Sequence, residues 1–164
     1  MDAAVSAARE KLNQATPLKR DCGRICGARC CRPLEGEETG MLLFPGEADA
    51  YAGKTGWEVR KTALGDLLIC SGTCRREERP LSCRLFPLLP LIGDSGEIRV
   101  VVDLRARAVC PLAGQGKSAM DPAFIEAVRE AGEILAQSDE QAMFLDMLEE
   151  EQAELKELRT KFKL

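Results

Sequence analysis

Small and apolar residues recur at Ala4, Val5, Ala8 and Leu12, with good helix formers between them, so residues 1–14 are expected to form a short amphipathic helix ending before Pro17. Near the other end, Asp121-Pro122 sets a capping carboxylate before a proline pre-organised for the first helical position. Phe124, Ile125, Val128, Ala131, Gly132 and Leu135 then fall on one helical face. A further helix from about Asp139 carries Phe144, Leu145, Leu148 and Leu155 inward, with Glu149-Glu150-Glu151 as a solvated face and residues 159–164 fraying.

The middle of the chain has strand and turn signals instead. Residues 57–60 and 67–69 suit two strands with a turn at Gly65-Asp66. Residues 88–92 and 97–103 flank Gly93-Asp94-Ser95-Gly96, and the β-branched Val100, Val101 and Val102 make a β-hairpin the natural reading. Pro45-Gly46-Glu47-Ala48 resembles a helix start, with the helix finishing near Gly53. Pro80 and Pro87 bracket one helical turn within residues 79–86. The predicted class is α+β: a small single domain with irregular cysteine-rich loops, a short antiparallel hairpin and C-terminal helices. It divides into an N-terminal helical segment (residues 1–18), a cysteine-bearing core (19–113) and C-terminal helices packing on that core (114–164).

A chain of 164 residues suits one domain, and with Trp57, Tyr51 and five Phe as its aromatic set the core must rest on aliphatic side chains. The formal net charge of −4 argues against nonspecific binding to nucleic acid or anionic membrane. Met1-Asp2-Ala3-Ala4-Val5 lacks the basic-then-apolar order of a secretory signal, and the apolar stretch 85–92 is interrupted by Pro87 and Pro90. The expectation is a cytoplasmic protein with neither nucleic-acid nor membrane partners, and with a protein partner for the C-terminal helices left open.

Eight cysteines and no histidine change the picture. Seven fall in two clusters, Cys22-x3-Cys26-x3-Cys30-Cys31 and Cys70-x3-Cys74-x8-Cys83, and Cys110 stands alone before Pro111. They lie among Gly, Arg and Pro, where packing does not require them. Soft-metal ligation and disulfides both remain open, although clustered thiols in a reducing compartment favour metal or redox chemistry. All eight are candidate ligands for zinc or an iron–sulfur cluster, each of which commonly takes four thiolates. One four-Cys site with spares, two such sites or a bridged cluster all satisfy the arithmetic. Cys110 and the adjacent Cys30-Cys31 pair also admit a packing role, since neighbours in an extended segment point opposite ways. Gly23 and Gly27 favour a folded loop with one helical turn around the first cluster.

Arg24, Arg29 and Arg32 flank the first cluster, and Arg75, Arg76, Arg79 and Arg84 flank the second. Arg79 and Arg84 bracket Cys83 most closely. Such cations could balance a thiolate-bound metal and lower thiol pKa values before it arrives. They could instead line an enzyme's cleft, the alternative being a metal-dependent or thiol-based enzyme or its accessory subunit. Thiol catalysis usually needs an adjacent general base, commonly histidine, and no catalytic residue is assigned. Glu77, Glu78 and Asp103 are lone carboxylates beside basic residues and read more simply as salt-bridged.

The segment from Cys70-SGT-Cys74 through RPLSCRLFPLLP, followed by VVDLRARAVCPLA, resembles the bacterial and archaeal family of small cysteine-cluster proteins described as zinc- or iron-chelating domains. CGRICGARCC is similar to that family's N-terminal cluster, which closes on a Cys-Cys pair, here Cys30-Cys31. The family's Arg-Pro…Cys-Arg-x-Phe-Pro signature falls on Arg79, Pro80, Cys83, Arg84, Phe86 and Pro87, and MLLFPGEADAY resembles a stretch found in a subset of members. The resemblance implies metal ligation, most firmly at Cys30, Cys74 and Cys83, and leaves the metal, the number of centres and the cellular role undefined. Relatives include a domain associated with flagellin lysine methylation, but no independent feature of this chain supports methyl transfer. If metal organises the central loops, its removal should loosen residues 20–112 more than the C-terminal helices.

Overall fold

Val5, Ala8 and Leu12 form the inward face of helix α1 (Ala3–Lys11) in the computed structural model, which describes residues 1–32, 40–72 and 74–162. Asp2 caps α1 by accepting the Val5 N–H at 3.0 Å. This face lies on α5 (Pro122–Leu135), whose own cap is Asp121 accepting from the Ala123 N–H. Phe124, Val128, Ala131 and Leu135 are buried along α5, as its periodicity predicts.

The hairpin of β4 (Leu88–Ile92) and β5 (Ile98–Val102) pairs Leu88 with Val102 and Ile92 with Ile98. Both α5 and the long α6 (Asp139–Phe162) pack on β4. The principal core therefore joins α1, the short α3 (Leu81–Leu85), the hairpin and the two C-terminal helices through Leu12, Leu81, Leu85, Leu88, Val128 and Leu145. Pro80 precedes α3, and the helix is over by Phe86. The protein is α+β.

Gly132 lets α5 approach the hairpin. A Cβ there would lie 2.5 Å from Pro90 Cβ and 2.7 Å from Ile98 Cγ2. Alanine is the better helix former by about 1 kcal/mol, but overpacking costs about 1–3 kcal/mol. Gly132→Ala is expected to destabilise the protein on balance; urea unfolding checks this, and an unchanged or raised midpoint would contradict the close packing.

A second, three-stranded antiparallel sheet has the order β1 (Gly40–Leu42), β3 (Gly65–Cys70), β2 (Trp57–Thr62). Its register places Trp57 opposite Cys70 and Thr62 opposite Gly65. The turn thus falls at Ala63-Leu64, two residues before the predicted Gly65-Asp66. Thr62 fixes it locally, its hydroxyl donating to the Gly65 carbonyl at 2.8 Å and accepting from the Leu64 N–H at 3.3 Å. The apolar run 41–44 carries no turn or alternation signal, so β1 was not foreseen. A smaller core of Leu43, Tyr51 and Leu68, flanked by Trp57 and Val59, lies against this sheet.

The helix expected from Pro45 is reduced to one 3-10 turn, Ala48–Ala50. Glu47 does not remain in a solvated first turn but is 0% exposed and accepts from the Phe44 and Leu81 N–H groups at 3.1 and 2.9 Å. At the C-terminus, α6 continues as helix to Phe162, and residues 163–164 lie outside the described residues. The triple-glutamate face is not simply solvated: Glu149 pairs with Arg99, and Glu151 pairs with Arg105 at 3.0 Å. Among the described residues no helix is long and apolar enough to cross a membrane.

Candidate metal centre

The first cysteine cluster folds as one helical turn, α2 (Gly23–Cys26), which carries Cys22 at its N-cap and Cys26 at its end. Gly27 at φ 69° and Ala28 at φ 55° are both left-handed. This reversal stops α2 and turns the chain into a 3-10 turn, Arg29–Cys31. A left-handed alanine costs about 1–2 kcal/mol, so the return of Cys30 and Cys31 is made against local preference. The glycine spacing predicted this loop with one helical turn.

The second cluster arrives from two directions. Cys70 ends β3, and the chain after it passes under the first cluster. A Cβ on Gly72 would lie 2.4 Å from the Cys31 carbonyl oxygen, and Gly72 itself sits at φ +82°. Only glycine allows that approach. Cys83 lies within α3, and Cys110 caps α4 (Pro111–Gln115). Four separate stretches of chain thus bring their thiols to one region, and all eight are free, with no disulfide.

Two hollows lie among them. The larger, about 290 Å³, is lined by Cys22, Cys26, Cys30, Cys83 and Cys110 together with Arg76, Arg79 and Arg84. The smaller, about 40 Å³, is lined by Cys30, Cys31, Cys70 and Cys83, with Trp57 and Leu68 behind them. Among the described residues no three thiol or carboxylate groups stand close enough to hold an ion as they are, so closure on a metal requires the thiols to draw inward.

Each guanidinium in the larger hollow has a different task. Arg76 donates to the Leu12 and Asn13 carbonyls at 2.9 Å and also to that of Ala15, tying down the C-terminal end of α1. Arg84 donates to the carbonyls of Arg79, Arg9 and Glu77 at 3.1, 3.1 and 2.9 Å. Both are structural staples. Arg79 faces the sulfurs, and its buried Nε has no hydrogen-bond partner among the described residues. A buried donor without an acceptor is costly, and an anionic thiolate centre beside it would supply one. The thiol donor set and this orphaned donor both fit a thiolate-bound metal.

The thiols perturb one another as close neighbours do. Burial first, then the charges of Cys31, Cys70 and Cys74, push the Cys83 thiol well up. Burial likewise raises Cys22, helped by Cys26 and Cys110. Burial raises Cys74, while a hydrogen bond from Arg79 and its charge pull the other way. Cys30 Sγ lies 3.9 Å from Cys31 Sγ. The hydrogen bond between them pushes Cys30 up and holds Cys31 below the ordinary thiol range, with Arg79 assisting at Cys31.

The carboxylates take structural roles. Asp103 is buried, caps the next turn through the Arg105 N–H at 2.9 Å, pairs with the Arg105 guanidinium at 2.8 Å and accepts from Gln152 at 3.1 Å. Glu78 pairs with Arg75 at 3.2 Å, and Glu77 is exposed. Sequence reasoning missed Glu47 and Gly72. The glycine inside the Cys-x3-Cys loop was the available signal for Gly72, whereas nothing local marked Glu47 as inward-facing.

An α+β domain with a thiol-lined, arginine-capped hollow is the class that fold and site define. No protein-family model, curated protein or solved structure matches the chain.

Proposed function

We propose that this is a small metal-binding protein whose cysteine thiolates hold zinc or an iron–sulfur cluster, working in a reducing compartment such as the cytoplasm. The observation that carries the reading is the gathering of free thiols from four chain segments around Arg79, whose buried Nε lacks a partner among the described residues. Four thiolates on Zn²⁺ leave a formal charge of −2, and an adjacent buried guanidinium offsets part of it. The likeness of both clusters to zinc- or iron-chelating domains supports the same chemistry. Cys22, Cys26, Cys30, Cys31, Cys70, Cys74, Cys83 and Cys110 would supply the ligands, while Arg79 compensates charge and Gly72 lets the Cys70 and Cys74 loop reach Cys31.

Bound metal would supply a structural tie or, as an iron–sulfur cluster, an electron-transfer centre. Protein purified anaerobically is expected to carry stoichiometric metal: colourless with zinc, or brown with visible absorption from iron and sulfide. Elemental analysis decides. Protein free of metal that takes up neither zinc nor iron with sulfide on reconstitution would sink the reading.

A further inference from the structure

We infer that the rim of the larger thiol hollow is a docking surface for an acidic protein, on which Lys19, Arg20, Arg24, Arg29 and Arg32 surround an apolar contact at Ile25. On the metal-binding reading above, such a partner would exchange metal or electrons with the thiols; the surface itself does not depend on that reading.

Asp21, Cys22, Ile25, Cys26 and Cys30 all line the larger hollow. Ile25 is nevertheless 62% exposed, and Cys30 is exposed as well. Both therefore stand where the hollow meets solvent. Each is the chain neighbour of an exposed arginine, Ile25 of Arg24 and Cys30 of Arg29. The Ala28 N–H donates to the Gly23 carbonyl at 2.8 Å and closes the reversal after α2, which keeps the cations before and after it within one short loop.

Residues 19–32 hold five cations and one carboxylate, Asp21, in a chain whose formal net charge is −4. All five cations are exposed. Elsewhere on the surface, cations find acids of the chain: Lys11 pairs with Glu130 at 3.0 Å, Arg75 with Glu78 at 3.2 Å and Arg129 with Glu133 at 2.7 Å. Among the described residues, none of the five on the rim has a carboxylate partner of this kind. Asp21 is engaged with the backbone instead, accepting from the Gly23 N–H at 3.1 Å. Like charges gathered in one loop repel one another, and an acidic partner relieves that repulsion while the same field steers it to the hollow.

Four of the five cations are arginines, whose planar fork suits carboxylates. A protein fits this rim better than nucleic acid or a membrane does. Residues 17–32 contain no aromatic side chain on which a base could stack. One exposed isoleucine is too little apolar surface to enter a bilayer. An extended polyanion would also run onto the acidic remainder of the chain, whereas a protein can confine its acids to the patch. An apolar centre at Ile25 with charges around it follows the usual division of an interface into a dry core and a polar rim. A partner docked there has the thiols directly beneath it.

The probe is a fluorescein-labelled peptide of Glu-Glu-Leu repeats, with its Gln-Gln-Leu counterpart as the uncharged control. Anisotropy titrations use the full chain prepared anaerobically, and metal content is assayed on the same sample. The Glu peptide is expected to bind at about 20 mM salt and to weaken by about 10-fold or more at about 300 mM, as the rim charges are screened. The Gln peptide should bind more weakly by about 10-fold or more, and Arg20→Glu/Arg24→Glu should cost the Glu peptide a similar factor. Ile25→Ser should weaken binding several-fold with the salt dependence unchanged. Lys156→Glu, at an exposed cation on α6 beside the hairpin, should leave binding unaltered. Equal binding of the two peptides, absence of binding, or equal losses from the rim and Lys156 reversals overturns the inference. So does tighter binding of a single-stranded oligonucleotide, or of vesicles containing phosphatidylserine, than of the Glu peptide. Binding that appears only after Glu35, Glu37 and Glu38 are replaced by glutamine would assign the rim to the chain's own acids and also overturns it. Where the rim variant fails to fold, the two peptides on wild type still decide. Peptide binding by protein that takes up no metal keeps the docking surface and sinks the metal reading; metal uptake without peptide binding does the reverse.

Discussion

Glu47→Ala is expected to lower stability by about 3–5 kcal/mol, the range for removing one partner from a buried charged network. The Glu47 carboxylate is fully buried where β1's chain, α1 and α3 meet. Its Oε1 accepts from the Leu81 N–H at 2.9 Å and pairs with Arg9 at 3.4 Å, and its Oε2 accepts from the Phe44 N–H at 3.1 Å. Arg9 also donates to Tyr51 Oη at 3.2 Å, and Tyr51 donates to the Glu78 carbonyl at 2.9 Å. Burial pushes the Tyr51 hydroxyl up to about 12, so it remains a donor at neutral pH. Truncation at Glu47 would leave two backbone donors and a guanidinium without their acceptor. Chemical denaturation at neutral pH measures the loss, and a cost below about 1 kcal/mol, the net value of an ordinary hydrogen bond, would show that the network does not hold these elements together.

The same site fixes the sign of a pH effect. Burial raises the Glu47 carboxyl above its unfolded value, against the pull of the two N–H groups and of Arg9 and Arg84. The folded state therefore binds this proton more readily, and its contribution to stability increases as pH falls through the folded value. The alanine variant lacks that contribution. Its deficit relative to wild type is expected to widen on acidification, and a deficit that narrows would contradict the shift.

Elements whose signals are local were legible in the sequence. Asp121-Pro122 marks a helix start by a residue two positions from the group it caps. The paired prolines around α3 and the valine run of β5 act over the same short range. Glu47 shows why the rest was not: its hydrogen bond to Leu81 spans 34 residues, and no local pattern distinguishes an acid facing solvent from one facing such a partner. The arginines failed as a group for a related reason. Arg84 and Arg79 both bracket Cys83, yet Arg84 turns toward distant carbonyls such as that of Arg9, while Arg79 faces the sulfurs. The cysteine spacing identified candidate ligands, but the approach of the Cys70 loop to Cys31 depends on where Gly72 crosses beneath it, a tertiary contact.

Withdrawal of metal is expected to lower amide protection by about 100-fold or more, corresponding to about 2.7 kcal/mol of ligand stabilisation at 100 Kd, in residues 20–32 and 65–79. Hydrogen exchange on anaerobic protein with and without chelator measures it. A uniform effect across 20–112, as the sequence alone suggests, is not expected, because that stretch spans two different cores. Leu81, Leu85, Leu88, Leu89, Leu91 and Val100 belong to the principal core with α5 and α6, and need no thiol to stay packed. Among the described residues, the smaller core of the sheet ending at Cys70 buries Leu43, Tyr51 and Leu68. The left-handed Gly27-Ala28 reversal has no buried side chain in α2 or in the following turn to hold it. These segments bury too little apolar surface to offset the chain entropy of ordering them, about 1–2 kcal/mol per residue, and on the proposed reading thiolate–metal bonds would supply the remaining order. Residues 88–102 and 122–148 should therefore keep their protection. Loss in those segments as large as in 20–32 would mean that the metal stabilises the domain as a whole, while full protection of 20–32 after chelation would mean that the loop is ordered without it.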